Sequence, residues 1–222
     1  MKTPGFSTLS LPRTGARWLL LASVCAALGT LSGCAVVLGG AVLTGGLVAT
    51  DRRTSGTQLE DEGLELRGAS RLSQALGERG HINLSAYNRQ VLMTGEVPTE
   101  ADKQLAEQTL AKVENVRAVV NELAVLGNSS VAARGNDVFI SGKVRAGFVD
   151  AKELSANAFR VVTERSTVYL MGLVTQREAD KATEIARSTS GVQRVVRIFE
   201  TISEQDLQRI AGQSGKPAQQ PK

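Results

Sequence analysis

The chain carries one pattern of residues twice, and this internal repeat constrains its fold more than any other feature. Residues 91–97, Val-Leu-Met-Thr-Gly-Glu-Val, return at 168–174 as Val-Tyr-Leu-Met-Gly-Leu-Val. The Glu-Ala-Asp-Lys run that begins at Glu100 returns at Glu178, and a Val-x-x-Val-Val run follows in both copies. Three matches in the same order indicate two copies of one folding unit, because chance similarity between apolar strands would not keep that order.

Within each copy the periodicity changes from helix to strand and back. In the first copy, residues 68–76 place apolar side chains on one helical stripe, and 82–86 and 91–97 alternate like paired strands. Thr99 is positioned to cap a second helix, and 117–125 forms the last strand. This order of helix, strand, strand, helix and strand predicts an α+β fold with two tandem domains. Each should be a small three-stranded mixed sheet with two helices on one face.

The N-terminus is typical of an export signal rather than of a folded element. Lys2, Arg13 and Arg17 precede the apolar residues 18–31, and this apolar run is shorter than the roughly 20 residues of a membrane-spanning helix. The signal ends in Leu31-Ser32-Gly33-Cys34, which resembles the lipobox of bacterial lipoproteins, where the cysteine is lipidated. An ordinary signal peptide is the alternative.

Charge and cysteine content exclude several classes of function. Of the 26 cations, three precede Cys34, whereas all 22 carboxylates follow it, so the exported chain carries 23 basic against 22 acidic residues. A chain so nearly neutral lacks the basic excess of a nucleic-acid-binding protein. Cys25 and Cys34 are the only cysteines, and Cys25 lies in the signal, so the exported chain has no pair for a disulfide or a thiolate metal site.

The repeat motifs also carry a family resemblance. A strand of the form Val-x-Leu/Met-x-Gly-x-Val, a charged helix and a Val-x-x-Val-Val strand resemble a BON domain. Two such units behind a lipobox resemble the dual-BON outer-membrane lipoproteins of the DolP type, and residues 51–58 and 172–179 are similar to that group in particular. The resemblance implies a protein that binds anionic phospholipid through its second BON domain and supports outer-membrane integrity. By the same resemblance, Ala35 after Cys34 favours export to the outer membrane over retention at the inner one, which implies a lipid-anchored protein facing the periplasm.

These observations divide the chain into five parts. The segment 35–50 is apolar and rich in glycine, which favours a flexible tether over a segment lying in the membrane interface. The expected parts are a signal peptide (1–33), a lipidated cysteine and tether (34–57), a first BON domain (58–126), a second BON domain (127–202), and a short helix with a disordered tail (203–222).

No catalytic site can be assembled from the sequence. His81 is the only histidine, so no nucleophile can be matched with a base and an orienting acid. Most carboxylates lie on predicted helix faces among Lys and Arg, which is typical of solvated charge. We therefore expect no enzyme, no cofactor and no metal site.

The first helix of the second repeat has two apolar faces where a core requires only one. Ile140, Val144 and Phe148 fall on the core stripe. Lys143 and Arg145 border a second strip on the opposite side. Its members are Val138, Phe139, Gly142, Ala146 and Val149. Apolar side chains flanked by cations suit the boundary between lipid headgroups and acyl chains, so the sequence predicts a phospholipid-binding site here.

Other interpretations of these faces stay open. The strip could pack against the other BON domain or the C-terminal helix. The alternate face of the second repeat's middle strand, marked by Tyr169, also needs a cover and is interpreted as an inter-domain or partner interface; the alternative is a sheet buried on both sides within its own domain. The alternative function is a non-catalytic protein-interaction module that assists outer-membrane protein assembly or envelope remodelling at cell division.

Overall fold

The structure is a computed structural model that describes residues 51–214, with side chains as far as Gly212. The expected signal peptide, Cys34, the tether as far as residue 50 and the tail from residue 215 lie outside the described residues. The described residues all belong to one compact unit.

Each repeat folds in the order that its periodicity predicts. The first contains helix α1 (Ser55–Leu76), strands β1 (His81–Tyr87) and β2 (Gln90–Val97), helix α2 (Glu100–Leu110) and strands β3 (Ala118–Asn121) and β4 (Ala124–Val125). The second contains helix α3 (Val131–Asp150), a short 3₁₀ helix (Ala156–Ala158), strands β5 (Phe159–Glu164) and β6 (Thr167–Val174), helix α4 (Gln176–Ser188) and strand β7 (Arg194–Thr201). Helix α5 (Glu204–Ser214) follows.

Both sheets are mixed, which confirms the α+β prediction. In the first, β2 pairs antiparallel with β1 and parallel with β3 and β4. In the second, β6 pairs antiparallel with β5 and parallel with β7. The helices of each repeat cover one face of its sheet and close an apolar core around Leu64, Met93 and Leu110 in the first domain, and around Val144, Phe148 and Leu170 in the second.

Two boundaries differ from the expected ones. Helix α1 begins at Ser55, because the Thr54 hydroxyl accepts a hydrogen bond from the Thr57 N–H and caps it, so the last residues assigned to the tether are folded. The last strand of the first repeat is interrupted at 122–123. The neighbouring Gly95 has a φ of 111°, which removes it from regular strand geometry, and there β2 loses its pairing with this segment.

The sheets of the two domains pack against each other through the faces that carry no helices. An apolar cluster fills this interface, with Tyr87 and Leu92 from the first sheet and Tyr169, Met171 and Ile198 from the second. All five side chains are less than a tenth exposed. The Tyr169 face is therefore an inter-domain interface, one of the interpretations that the sequence allowed.

Candidate functional site

Helix α3 presents the two apolar faces that its sequence predicts. Ser130 begins it by accepting a hydrogen bond from the Ala133 N–H at 3.1 Å. Ile140, Val144 and Phe148 are buried against the second sheet, and the Phe148 ring lies 5.0 Å from the Phe159 ring, centroid to centroid. One side of α3 thus satisfies the core without any residue of the opposite strip.

The opposite strip faces outward. Val138, Phe139 and Val149 are 73, 65 and 70% exposed, and Gly142 and Ala146 between them are exposed as well. Neither the first BON domain nor helix α5 covers these side chains, so the described fold leaves this apolar surface open. An open apolar surface of this kind on a folded domain commonly marks an interaction site.

The strip continues further toward the start of α3 than the sequence prediction placed it. Val131 is 81% exposed, and Gly135 is exposed one turn later. At 3.6 residues per turn both fall on the side of Val138, so the strip runs along the helix for about 27 Å. The helical projection contains this signal, but only once the helix is known to begin at Val131. The α3 strip comprises Val131, Gly135, Val138, Phe139, Gly142, Ala146 and Val149.

Two glycines in the α3 strip have no role in packing within their own domain. A Cβ atom added to Gly135 or Gly142 would meet no atom within 4 Å, and neither residue has a positive φ. Glycine inside a helix costs roughly 0.5–1 kcal/mol relative to alanine. The fold of this domain therefore gives no reason for glycine at either position.

The cations beside the strip are held by backbone carbonyls. The Lys143 ammonium donates to the Ser190 carbonyl oxygen and lies 5.0 Å from the centroid of the Phe139 ring. The Arg145 guanidinium donates to the Val161 carbonyl oxygen at 3.1 Å. An ammonium has three donors and a guanidinium five, so each group keeps donors for a further acceptor such as a phosphate oxygen.

Charged groups surround the apolar interface between the two sheets. Arg165 donates to Glu96 at 3.0 Å, and Arg117 donates to Glu200 at 2.6 Å, each pair joining one domain to the other. Burial raises the pKa of the Glu200 carboxyl, but hydrogen bonds from Arg117 and Asn88 outweigh it and hold that pKa below its ordinary value. These pairs contribute to domain packing.

A polar cavity of about 440 Å³ lies where the two domains meet. Glu122, which lines it, accepts hydrogen bonds from Arg194 at 2.6 Å and from the Tyr169 hydroxyl at 3.4 Å. The charges of Glu122 and Arg194 are therefore already paired with each other. Across residues 51–214, no three His, Cys, Asp or Glu side chains are grouped as metal ligands, and no helix is long and apolar enough to cross a bilayer.

Comparison with known proteins identifies the family. The BON domain model matches residues 67–127 and 135–201, one match in each repeat. The outer membrane lipoprotein DolP of Haemophilus influenzae is 38% identical over 174 residues, which cover 76% of this chain and 89% of that protein. The chain belongs to the BON-domain lipoproteins of the DolP type.

Membership in the DolP-type family makes this protein an outer-membrane lipoprotein and indicates a binding protein rather than an enzyme. A 21 kDa hemolysin of Actinobacillus pleuropneumoniae is 34% identical over 151 residues, 67% of this chain and 78% of the hemolysin. Among solved structures, CdsD of the type III secretion system of Chlamydia trachomatis is 12% identical. It covers 68% of this chain at a TM-score of 0.27, too low to bear on fold or function.

Proposed function

We propose that this DolP-type protein docks onto anionic phospholipid through the α3 strip of its second BON domain and thereby supports outer-membrane integrity. Acyl chains on Cys34 hold it at the periplasmic face of the outer membrane. The observation that carries the proposal is the exposure of Val138, Phe139 and Val149 on a helix whose core face is already buried.

The apolar part of the strip supplies insertion energy. Full burial of a Val or Phe side chain is worth about 1.5–3 kcal/mol relative to exposure in water. Insertion of Val138, Phe139 and Val149 to the depth of the headgroup boundary therefore gives a gross gain of several kcal/mol. Part of this gain is offset by the entropy of confining the domain to a surface.

The cations select the headgroup charge. Each Lys or Arg close to an anionic leaflet contributes about 1 kcal/mol, and the contribution weakens with salt. Lys143 and Arg145 lie on opposite sides of the strip, so phosphates could be bound along both edges while Phe139 inserts between them.

The lipid anchor allows even a weak contact between the α3 strip and phospholipid to be occupied. Two or more acyl chains attach a protein stably to a bilayer, and attachment converts docking into an event within one assembly. A strip with millimolar affinity for free vesicles can then be occupied most of the time. Phospholipid contact thus needs no deep pocket, and a flat helical face is sufficient.

The test is vesicle co-sedimentation of a soluble chain that begins at Ala49, two residues before the first residue that the structure describes. We expect binding to vesicles of phosphatidylcholine with phosphatidylglycerol, much weaker binding to phosphatidylcholine alone, and loss of binding on Phe139→Glu. Leu66→Glu is the matched control, because Leu66 is 75% exposed on helix α1, the equivalent helix of the first domain. Equal binding to both vesicles, or equal effects of the two substitutions, would contradict the proposal.

A protein-interaction module is the second candidate, with an outer-membrane assembly or division protein as partner. The observation that favours it is the open space above Gly135 and Gly142, which would let another backbone approach α3 closely. A photo-crosslinking side chain at position 139 distinguishes the two. Adducts with one envelope protein and none with lipid favour the protein partner, whereas lipid adducts favour membrane docking.

A further inference from the structure

The residue that joins the tether to the folded protein is fastened to the second BON domain rather than the first. Arg52 forms a two-pronged ion pair with Glu178, with nitrogen–oxygen distances of 2.8 and 2.6 Å, and donates to the Leu173 carbonyl oxygen at 2.9 Å. The two side chains are only 6 and 3% exposed. Helix α1, which follows Arg52 in the chain, belongs to the first domain.

The acceptor of this contact is fixed in place. Glu178 also accepts a hydrogen bond from the Thr175 N–H at 3.0 Å and closes a capping box at the start of α4. Burial raises the pKa of its carboxyl, but Arg52 and Thr175 outweigh burial and hold the pKa below the ordinary value. A capped helix end gives Arg52 a rigid docking point.

Arg53, the next residue, contacts the first domain. Arg53 donates to Asp61 at 2.6 Å, and its guanidinium lies 4.1 Å from the centroid of the Tyr87 ring. The Tyr87 hydroxyl donates in turn to the Ala158 carbonyl oxygen of the second domain at 3.2 Å. At the point where the tether enters, Arg52 thus contacts the second domain and Arg53 contacts the first.

This attachment lies at the end of the second domain where the α3 strip ends. Gly172, which precedes the Leu173 acceptor of Arg52, is paired with Phe159 across the second sheet. Phe159 contacts the ring of Phe148, and the next residue is Val149, the last member of the α3 strip. Arg52 and the strip therefore share one end of the domain.

We propose that Arg52 and Glu178 are a positioning pair for membrane docking, fastening the anchored tether directly to the domain that bears the α3 strip. This inference rests on the proposed function. Without the pair, the tether enters through Arg53 on the first domain, so its point of entry is no longer held beside the second domain. The span from anchor to strip sets the effective concentration of the strip at the bilayer.

The tether is long enough for this relation to matter. From Cys34 to Asp51 the chain advances 17 residues (51 minus 34). A chain of that length spans at most roughly 60 Å. A reach of this size allows more than one placement of the protein at the bilayer, so the point where the tether joins the folded residues affects which surface lies nearest the membrane.

The experiment compares the lipidated full-length protein on vesicles of phosphatidylcholine and phosphatidylglycerol with the soluble chain that begins at Ala49. An environment-sensitive dye on Val131→Cys reports insertion, and it labels one site because Cys25 is removed with the signal and Cys34 is lipidated. We expect Arg52→Gln to lower the inserted fraction of the lipidated protein by about threefold or more. The affinity of the soluble chain should not change. Arg52→Lys, which keeps the charge but loses the fork, should have an intermediate effect.

Arg160→Gln is the matched control. Arg160 joins the second domain to Glu65 of the first at 2.8 Å and takes no part in the ion pairs of Arg52 and Arg53, so its loss should leave insertion unchanged. Equal insertion of Arg52→Gln and the unsubstituted lipidated protein would overturn the positioning role. An equal loss of affinity in the soluble chain would also overturn it, by showing that Arg52 acts only on the fold. No insertion of the unsubstituted protein would instead contradict membrane docking itself, and the positioning role with it.

Discussion

Asp61 and Asp137 occupy the same place in the two repeats, and each carboxylate holds the hairpin turn of its own domain. Each lies on the first helix of its repeat and is almost fully buried. In each hairpin, two turn residues with positive φ donate their N–H groups to the carboxylate: Asn88 and Arg89 to Asp61, both at 2.7 Å, and Arg165 and Ser166 to Asp137, at 2.8 and 2.9 Å. The two repeats therefore share these buried hydrogen bonds as well as their apolar pattern.

Replacing Asp137 with Asn should destabilise the protein by about 1–3 kcal/mol, because the amide nitrogen cannot accept a hydrogen bond and one buried N–H loses its partner. Asp61→Asn should cost more, since it also weakens one of the two carboxylate partners of Arg53, the other being Asp51. Urea unfolding curves measure both. The exposed Asp150→Asn should change the free energy of unfolding by less than about 0.5 kcal/mol, and an equal effect there would contradict this account.

Gly142→Ala should stabilise the protein by roughly 0.5–1 kcal/mol, because the added Cβ meets nothing and alanine is the better helix former. Gly95→Ala should have the opposite effect. Gly95 has a φ of 111°, and a Cβ there would lie 2.0 Å from the His81 carbonyl oxygen. Thermal unfolding of the two variants should shift in opposite directions. Destabilisation by Gly142→Ala would reveal a contact on the α3 strip that the described fold lacks.

Glu164→Gln should stabilise the protein at neutral pH. Burial, followed by the nearby charges of Glu96 and Asp137, raises the pKa of the Glu164 carboxyl above its ordinary 4.5. A raised pKa means that folding favours the protonated form, so the charged form weakens the fold above that pKa. A neutral amide removes this cost and can still accept the hydrogen bond that Asn83 donates.

The gain from Glu164→Gln should shrink as the pH falls through the raised pKa, because the native carboxyl then protonates as well. Glu178→Gln provides the contrast. Its folded pKa is lowered, so it contributes stability above the ordinary value that is lost as the pH falls through the lowered one. Urea unfolding at neutral pH should show a higher free energy of unfolding for Glu164→Gln and a lower one for Glu178→Gln, and both differences should shrink at acid pH. A change of the same sign for both variants at neutral pH would be inconsistent with the geometry.

Lys143→Gln should weaken binding of the soluble chain to phosphatidylglycerol vesicles by about fivefold, the effect of removing roughly 1 kcal/mol of attraction to an anionic surface. The difference should narrow at high salt. Arg71→Gln on helix α1 is the control, because Arg71 is also cationic and is exposed but lies far from the strip in sequence. Co-sedimentation at two salt concentrations measures both, and an unchanged Lys143→Gln affinity would remove this lysine from the lipid site.

Both tyrosines of the chain report on domain packing. Burial and the nearby charge of Asp51 raise the pKa of Tyr87 to about 12, and burial followed by the charge of Glu122 raises that of Tyr169. Spectrophotometric titration should therefore find no tyrosine ionising near its ordinary value of 10 in the folded protein. Because these pKa values are raised, the stability they contribute is present below pH 10 and is lost as the pH rises through them. One tyrosine titrating near 10 would indicate that the domains separate in solution.

The sequence alone determined the features that depend on near neighbours in the chain. Thr99 caps helix α2 by accepting from the Asp102 N–H, and Asn88 and Arg89 form the turn predicted between β1 and β2. Ile140 is buried and Phe139 is exposed, as expected for adjacent positions about 100° apart on a helix with one core face. Such features follow from the periods of helix and strand and from the hydrogen bonds available to a few consecutive residues, which any short window of sequence contains.

Only the tertiary structure decided which faces meet. The alternating apolar pattern around Tyr169 predicts only that this face of the strand is covered. That the first domain covers it, rather than a partner protein, follows from the shape of the two complete sheets. Arg52 and Glu178 are 126 residues apart, and no local pattern relates them. The exposure of Phe139 likewise depends on what every other element leaves uncovered. Periodicity and spacing indicate whether a side chain needs burial or a polar partner, whereas the packing of the whole chain determines which residue provides it.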